Sequence, residues 1–467
     1  MANSYDVVIV GGGPAGIFTA LELVRSSSLK ILILEKGKDL NKRYCPGAHN
    51  YSGCLSCFPC AMVSGWGGAG AFSDGKLTLS PDVGGYLHKY EGVDGLTKLI
   101  TYVDDTYSEF GASANLFGVG PEVDGIARRA EQVGLRFIPV PVRHLGTEHC
   151  YQVLRNMYDF LIEKVDIQTS VTVESIISED GKIKGIETED GQFIETKYLV
   201  AAPGREGSDW LVKQAAWLGL TKDNNPVDLG LRIEVPNEVL ADLTNILYEP
   251  KLEYRAMPFN DRIRTFCVCP AGEVTLESTG GTEPVVTVNG HSYADRKSPN
   301  TNFALLCSAK FREPFNDPIT YGKSVARLAN LLADGVIVQR YSDLLDGRCS
   351  MAAQMDEWQV QPTLKSATPG DINAVLPYRF LKGIKEMLIS LDALAPGVAS
   401  PHTLLYGVEV KFYSSRLYLT EKLETEIANF FAIGDGAGVT RGLVQASASG
   451  IVAAREIISR SSSKVAA

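Results

Sequence analysis

No stretch of this 467-residue chain comes near eighteen consecutive apolar residues, roughly what a membrane-spanning helix needs, so none is expected. No Lys/Arg block is long enough to grip nucleic acid, and a net charge of −10 points the same way. The N-terminus has no basic leader region. It runs straight into a strand pattern, so no signal peptide is expected and a cytoplasmic location is the default. Internal repeats and low-complexity tracts are missing too, and only Ser459 to Ala467 reads as disordered. What remains is an ordinary globular composition, long enough for two or three domains.

What is present begins at once. Val7 to Val10 is a short apolar run, the pattern of a strand buried on both faces. Gly11-Gly12-Gly13-Pro14-Ala15-Gly16 follows, then a helical pattern with Ile17, Ala20, Leu21 and Val24 apolar. A second apolar run, Lys30 to Leu34, ends at Glu35, nineteen residues after Gly16. Strand, Gly-x-Gly-x-x-Gly, helix, strand and acid together form the dinucleotide-binding fingerprint. Gly11 permits the tight turn, Gly13 lets backbone approach a pyrophosphate, and Gly16 lets helix and strand pack. The helix N-terminus offers N–H groups and partial positive charge to phosphate, and Glu35 offers a carboxylate to ribose hydroxyls.

Further on, Asn41 to Cys60 reads as an ordered loop, and Ser64 to Lys76 packs five glycines into thirteen residues. Helices are expected at 96–110, 123–133 and 151–164. Strands are expected at 135–140, 165–177, 182–188, 192–196 and 198–204, with Ser208 able to cap the helix after them. Residues 229–310 read as an antiparallel sheet, 318–335 and 378–394 as helices. The chain then returns to an α/β pattern: strand 430–433, a Gly turn, and helix 442–458.

Two distant segments select among dinucleotides. Lys197 to Gly204 resembles the second strand-and-glycine motif of glutathione-reductase-type flavoproteins, although it ends Ala202-Pro203-Gly204 rather than Ala-Thr-Gly. Ile433 to Gly438 resembles their motif whose Asp binds the flavin ribityl chain. The segments 67–76, 203–210 and 434–450 look like signatures of a family of uncharacterised FAD-dependent dehydrogenases, and that resemblance runs from Val7 to Ala454. It implies FAD and an α/β, three-layer Rossmann-type FAD-binding domain with an inserted α+β substrate domain. The expected boundaries are 1–90, 165–228 and 405–467 for the FAD domain, 91–164 and 229–404 for the substrate domain. The FAD-binding residues expected are Gly11, Gly13, Pro14, Ala15, Gly16, Glu35, Lys36, Gly67, Gly68, Ala69, Lys76, Val171, Pro203, Gly204, Gly434, Asp435, Gly442, Leu443 and Val444. The helix from Gly442 would point its N-terminus at the pyrimidine side of the ring. No second Gly-x-Gly-x-x-Gly sits between a strand and a helix, so NAD(P)H is expected at most as a transient electron donor.

Cys45, Cys54, Cys57 and Cys60 lie within sixteen residues, spaced like the ligands of an iron–sulfur loop. A [4Fe–4S] cluster, zinc, a redox thiol pair and four inert thiols are the readings open. Cys267 and Cys269 form a second pair. Alternate residues of a regular strand lie nearly 7 Å apart, too far for an easy disulfide, so a pocket-lining or packing strand is expected. For proton transfer near flavin N5 the candidates are His144, His291, Lys76 and Glu409, with Arg441 a further cation. Glu409 and Lys411 would either face the ring or form a salt-bridged strand, and Arg232 and Glu234 would sit at a domain junction. The function expected is an FAD-dependent oxidoreductase, a dehydrogenase or reductase of a small organic molecule. A flavin monooxygenase, a tRNA-modifying flavoprotein and a non-catalytic redox sensor are the alternatives.

Overall fold

A computed structural model describes residues 4–46, 57–73, 75–223, 225–278, 285–292, 296–309, 317–412 and 415–463. In chain order its main elements are β1 (Ser4–Val10), α1 (Pro14–Ser26), β2 (Ile31–Glu35), α2 (His88–Glu109), α3 (Thr147–Ile162), β3 (Asp166–Thr169), β4 (Val173–Glu179), β5 (Lys182–Thr188), β6 (Phe193–Ala201) and α4 (Ser208–Trp217). Then come β7 (Val227–Pro236), α5 (Asn237–Leu247), β8 (Lys251–Ala256), β9 (Asp261–Cys269), β10 (Glu273–Ser278), β11 (Val286–His291), β12 (Asn300–Ala309), α6 (Pro318–Leu332), β13 (Ile337–Arg340), α7 (Tyr378–Leu394), β14 (Leu404–Lys411), β15 (Phe430–Ala432) and α8 (Leu443–Ser463). The fold is mixed α/β.

Two units divide the chain: 1–115, 143–225 and 414–467, and 116–142 with 226–413. Each has its own hydrophobic core. In the first, a sheet runs in the order β3-β2-β1-β6-β5-β4, with β15 also pairing with β6. Strands β3, β2, β1, β6 and β15 are parallel, in register Val7↔Ile31, Val7↔Tyr198 and Leu199↔Phe430. Every residue of β2 is buried. Such a strand cannot alternate polar and apolar residues, because both of its faces are covered. Each fully buried Ile, Leu or Val there contributes about 1.5–3 kcal/mol. Helices α1 and α8 pack closely: a Cβ on Gly450 would come within 2.3 Å of the Ala15 carbonyl. The second unit is built on an eight-stranded sheet in which β13-β14-β7-β12-β9-β8 are successive neighbours.

The first unit includes 91–115 and 143–164, which the sequence pattern assigns to the substrate domain. The reason is packing. Tyr107 of α2 stacks against Phe18 of α1 at 5.1 Å, Tyr102 donates to Glu22, and Trp66 donates to the Leu154 carbonyl of α3. Other differences are local. The strands expected at 192–196 and 198–204 are one strand, β6. Ser208 is the first residue of α4 rather than its cap, and no side chain caps that helix. Helix α8 continues through Ser463 into the expected tail. Helix α5 lies inside the segment read as all sheet, burying Leu240, Leu243, Thr244 and Leu247.

Candidate cofactor site

The parallel strands β2, β1, β6 and β15 all deliver their C-terminal ends to one edge of the first unit's sheet, where ligands bind in open α/β folds. Backbone hydrogen bonds lash their loops together: Gly11 N to Leu34 O at 2.8 Å, Ala202 N to Val10 O at 2.8 Å, Ile433 N to Ala201 O at 2.9 Å and Gly67 N to Gly12 O at 2.8 Å.

The glycines of this edge fall into two kinds. Some are obligatory for packing. A Cβ on Gly11, at φ +113°, would lie 2.1 Å from the Ala202 carbonyl. One on Gly16 would lie 2.0 Å from the Gly11 carbonyl, and one on Gly436 would lie 2.5 Å from that of Gly204. Others border open space. Nothing is closer than 3.9 Å to a Cβ on Gly13, and nothing lies within 4 Å of one on Gly204 or Gly442. Two helix N-termini begin beside these open positions. Helix α1 has Gly13 as its cap residue, with no side-chain cap, and α8 begins at Leu443 directly after Gly442. Their first N–H groups have no intrahelical partner.

Glu35 holds this edge together from below. Its buried carboxylate accepts three backbone N–H bonds: from Gly12 at 2.8 Å on Oε2, and from Gly37 at 2.8 Å and Gly65 at 2.9 Å on Oε1. It therefore joins the fingerprint loop to the Gly-rich segment 64–70. Those loops press so closely that a Cβ on Gly37 would lie 2.3 Å from Gly65 N. Lys36 pairs with Glu206, and burial pushes its ammonium pKa down against the pull of Glu35. Val171 donates its N–H to the Glu35 carbonyl at 3.0 Å and lines a shallow concavity with Ser170, Thr172, Glu189 and Asp190.

Asp435 follows Gly434 at the far side of the edge. It accepts from Thr440 Oγ1 at 3.0 Å and from Gly442 N at 3.4 Å. The residue keeps a partly open face. Protein packed around the carboxyl still raises its pKa by desolvation, against the opposing charges of Arg205 and Arg441. Among the other expected residues, Gly68 and Ala69 lie in a 3₁₀ turn at Gly68–Phe72, and Gly67 is its left-handed cap at φ +83°. A Cβ on Gly70 of that turn would meet Leu443 at 2.7 Å, and Val444 is buried behind Leu443. Pro203 packs under Gly436, whose Cβ would lie 2.8 Å from its ring.

The structure also supplies participants that the sequence pattern did not single out. Arg43 is buried, its guanidinium donating to the carbonyls of Ala61 (2.9 Å), Met62 (3.0 Å) and Trp66 (2.6 Å). Burial lowers its pKa to about 10. This arginine shapes the loop that Glu35 anchors. Gln445 donates to the Val83 carbonyl at 3.0 Å, while its buried Oε1 has no partner among the described residues. Tyr86 N donates to Val439 O at 2.7 Å, and its ring lies under Arg416 and Arg441. Nothing in local periodicity marks these residues; only the fold brings 83–86 to 439–445.

The proton-transfer candidates fall in two pairs. Lys76 and His144, both half-buried, lie on neighbouring segments of the first unit, since Leu145 N donates to Gly75 O at 3.2 Å. His291 ends β11 and Glu409 lies on β14, in the second unit. Glu409 has no exposed surface, and both its oxygens are held by Arg232, at 2.7 and 2.8 Å. Lys411 joins it at 3.4 Å and reaches Glu277 at 2.8 Å. This is the salt-bridged strand, and not a carboxylate presented to a ring. Glu234 is buried likewise, accepting from Tyr406 and Thr363, and desolvation raises its pKa.

Of the cysteine loop, Cys45 and Cys60 are half-buried and Cys57 exposed, while Cys54 lies outside the described residues. Among the described residues no group of three or more His, Cys, Asp or Glu could hold a metal ion, and no helix is long and apolar enough to cross a membrane.

Residues 226–412 match the family model of the FAD-dependent protein, C-terminal domain-like. A protein of Clostridium beijerinckii described as uncharacterized is 26% identical over 478 residues, covering 97% of this chain and 80% of that one. Solved structures with similarity include a geranylgeranyl bacteriochlorophyll reductase-like protein from Thermoplasma acidophilum (12% identity, 99% of this chain, 80% of that one, TM-score 0.41). An L-proline dehydrogenase from P. horikoshii is similar at 12% identity, 99% and 95% coverage and TM-score 0.40. The match makes this part of the chain similar to a domain of FAD-dependent proteins.

Proposed function

We propose that the first unit binds FAD along this edge in the manner of glutathione-reductase-type flavoproteins, and that the protein oxidises or reduces a small organic molecule. The carrying observation is the coincidence of open glycines at 13, 204 and 442 with two helix N-termini and the buried side of Asp435. In this reading Ala15 and Gly16 N–H groups bind the pyrophosphate, with Gly67, Gly68 and Ala69 closing over it. Glu35 Oε2, which takes one N–H where Oε1 takes two, keeps a lone pair for a ribose hydroxyl. Lys36 and Val171 flank the adenosine end. A ribityl hydroxyl would supply Asp435 with a further donor. Gly434, Leu443 and Val444 border the flavin, and Gln445 Oε1 gains a partner.

Bound FAD would supply hydride exchange at N5 with the substrate. The chain's part is to orient both, and to move a proton at Lys76 or His144 of the first unit or at His291 of the second. Glu409, held by Arg232, is not assigned that task. Cys45, Cys54, Cys57 and Cys60 are proposed as ligands of a [4Fe–4S] cluster, which would draw together the described Cys45, Cys57 and Cys60, in a protein with no nucleic-acid partner; NAD(P)H is proposed as a transient donor. Their sequence spacing supports that assignment.

The test is the absorption spectrum of anaerobically purified protein, with flavin extraction and assays for iron and acid-labile sulfide. One FAD per chain, four irons and four sulfides per chain, and bleaching by an added small-molecule reductant are expected. Apoprotein that takes up no FAD when it is supplied would end the flavin reading. Iron well below one atom per chain would end the cluster reading alone.

A further inference from the structure

In a regular strand, residues two apart cannot bring their sulfurs together. Strand β9 is not regular at its end. Its register against β12 runs Phe266↔Ala304 and then Cys269↔Asn302, so one extra residue is inserted, and Cys267 takes φ +46°. This bulge brings the Cys267 and Cys269 sulfurs to 3.8 Å, which corrects the expectation drawn from strand spacing alone. The two differ in access: Cys267 is half-buried and Cys269 buried. Arg232, without exposed surface, donates Nη1 to the Cys267 carbonyl at 3.2 Å, which brings its guanidinium, paired with Glu409, up to this bulge. A fixed cation beside a thiol favours the thiolate, here against the Glu409 carboxylate that shares the same guanidinium.

We propose that Cys267 and Cys269 are a redox-active dithiol of the second unit that exchanges with low-molecular-weight disulfides. The Cys267 thiolate attacks one sulfur of R–S–S–R, forming a mixed disulfide and releasing RS⁻, which takes up the proton that Cys267 lost. The Cys269 thiol then gives up its proton, and its sulfur attacks the Cys267 sulfur, releasing a second RS⁻ that is protonated in turn. Two protein thiols become one disulfide, and one R–S–S–R becomes two RSH. Excess RSH reverses the sequence. The assignment stands on the second unit's own geometry and is independent of the flavin reading.

The test equilibrates the full-length protein with glutathione buffers of graded oxidised-to-reduced ratio. After acid quench and alkylation, the tryptic peptide Thr265 to Arg296 is weighed; it contains no other cysteine. With increasing oxidised glutathione the wild-type peptide should lose two hydrogens, resist alkylation and carry no glutathione. Cys269→Ser should trap glutathione on Cys267 about tenfold faster than on exposed Cys349, whereas Cys267→Ser should trap none on Cys269. Full alkylation of both wild-type cysteines at every ratio would overturn the proposal, and that measurement needs no variant to fold. So would glutathionylation of Cys267 in Cys269→Ser no faster than that of Cys349.

Discussion

Arg232 and Glu409 face each other across neighbouring strands of the second unit as a bidentate ion pair, Nε to Oε2 at 2.7 Å and Nη2 to Oε1 at 2.8 Å, with no exposure on either side chain. Burial works to lower the guanidinium pKa, and the carboxylate outweighs it. Removing one partner leaves a buried charge without its mate. Glu409→Ala should lower the unfolding free energy in urea by about 3–5 kcal/mol, and the double replacement Arg232→Met with Glu409→Leu by much less than the two singles combined. A loss below about 1 kcal/mol in Glu409→Ala would show that the pair is not holding this sheet.

Gly13 and Gly16 should separate cofactor binding from folding. Gly13 has φ −83°, which alanine adopts freely, and its Cβ would meet nothing nearer than 3.9 Å. Gly13→Ala should therefore fold with a melting temperature within a few degrees of wild type, yet weaken FAD binding at least about tenfold, because the methyl would occupy the path proposed for the pyrophosphate. Gly16→Ala drives a carbon to 2.0 Å from the Gly11 carbonyl and should reduce soluble yield whether or not FAD is supplied. Equal flavin affinity in Gly13→Ala and wild type, by fluorescence titration, would contradict this.

Glu35→Gln replaces one acceptor oxygen by an amide that only donates, facing loops that present three N–H groups. At least one buried donor then loses its partner, at a cost of about 1–3 kcal/mol. Apoprotein unfolding should shift by that amount, and flavin affinity should fall with it. If stability is unchanged while flavin binding weakens, the carboxylate serves the ligand and not the loops.

Asp435 has its pKa raised above the ordinary 3.8, by desolvation first of all. The raised value means the folded apoprotein holds this proton more tightly than the unfolded chain. Its contribution is complete below 3.8 and is lost as pH rises through the raised folded value. Asp435→Asn lacks that loss. The variant's apoprotein stability, measured against wild type, should rise from acid to neutral pH, while its FAD affinity falls. A wild-type-minus-variant difference that is flat across that window would mean the carboxyl titrates normally.

Much of the first unit was legible because its signals are local. An apolar run, glycines at fixed offsets and an acid at the next strand's end specify strand, turn and helix without reference to the rest of the chain. Helix α7 coincides with the expected 378–394, and the antiparallel character of 229–310 is present in β7 to β12. The sequence pattern hides helix α5, although its buried residues at 240, 243, 244 and 247 keep helical spacing, because strand-like segments surround it. Polar Thr196 and Lys197 look like a break and split strand β6 into two in the sequence pattern; the parallel pairing with β1 carries the strand through them.

By itself the sequence determined the strand, glycine turn and helix of the first forty residues and the α/β class, since each follows from residue type and short spacing; that the two ends of the chain meet beside that turn was implied only by resemblance to glutathione-reductase-type flavoproteins. Tertiary structure alone decided what the polar residues do. Glu35 is shared among Gly12, Gly37 and Gly65 because three loops converge on it. Glu409 belongs to Arg232 because strand register places them together inside a sheet. The Cys267 and Cys269 sulfurs meet because one residue is inserted against β12. Partners and distances of this kind are set by long-range pairing and burial, and no local pattern encodes them.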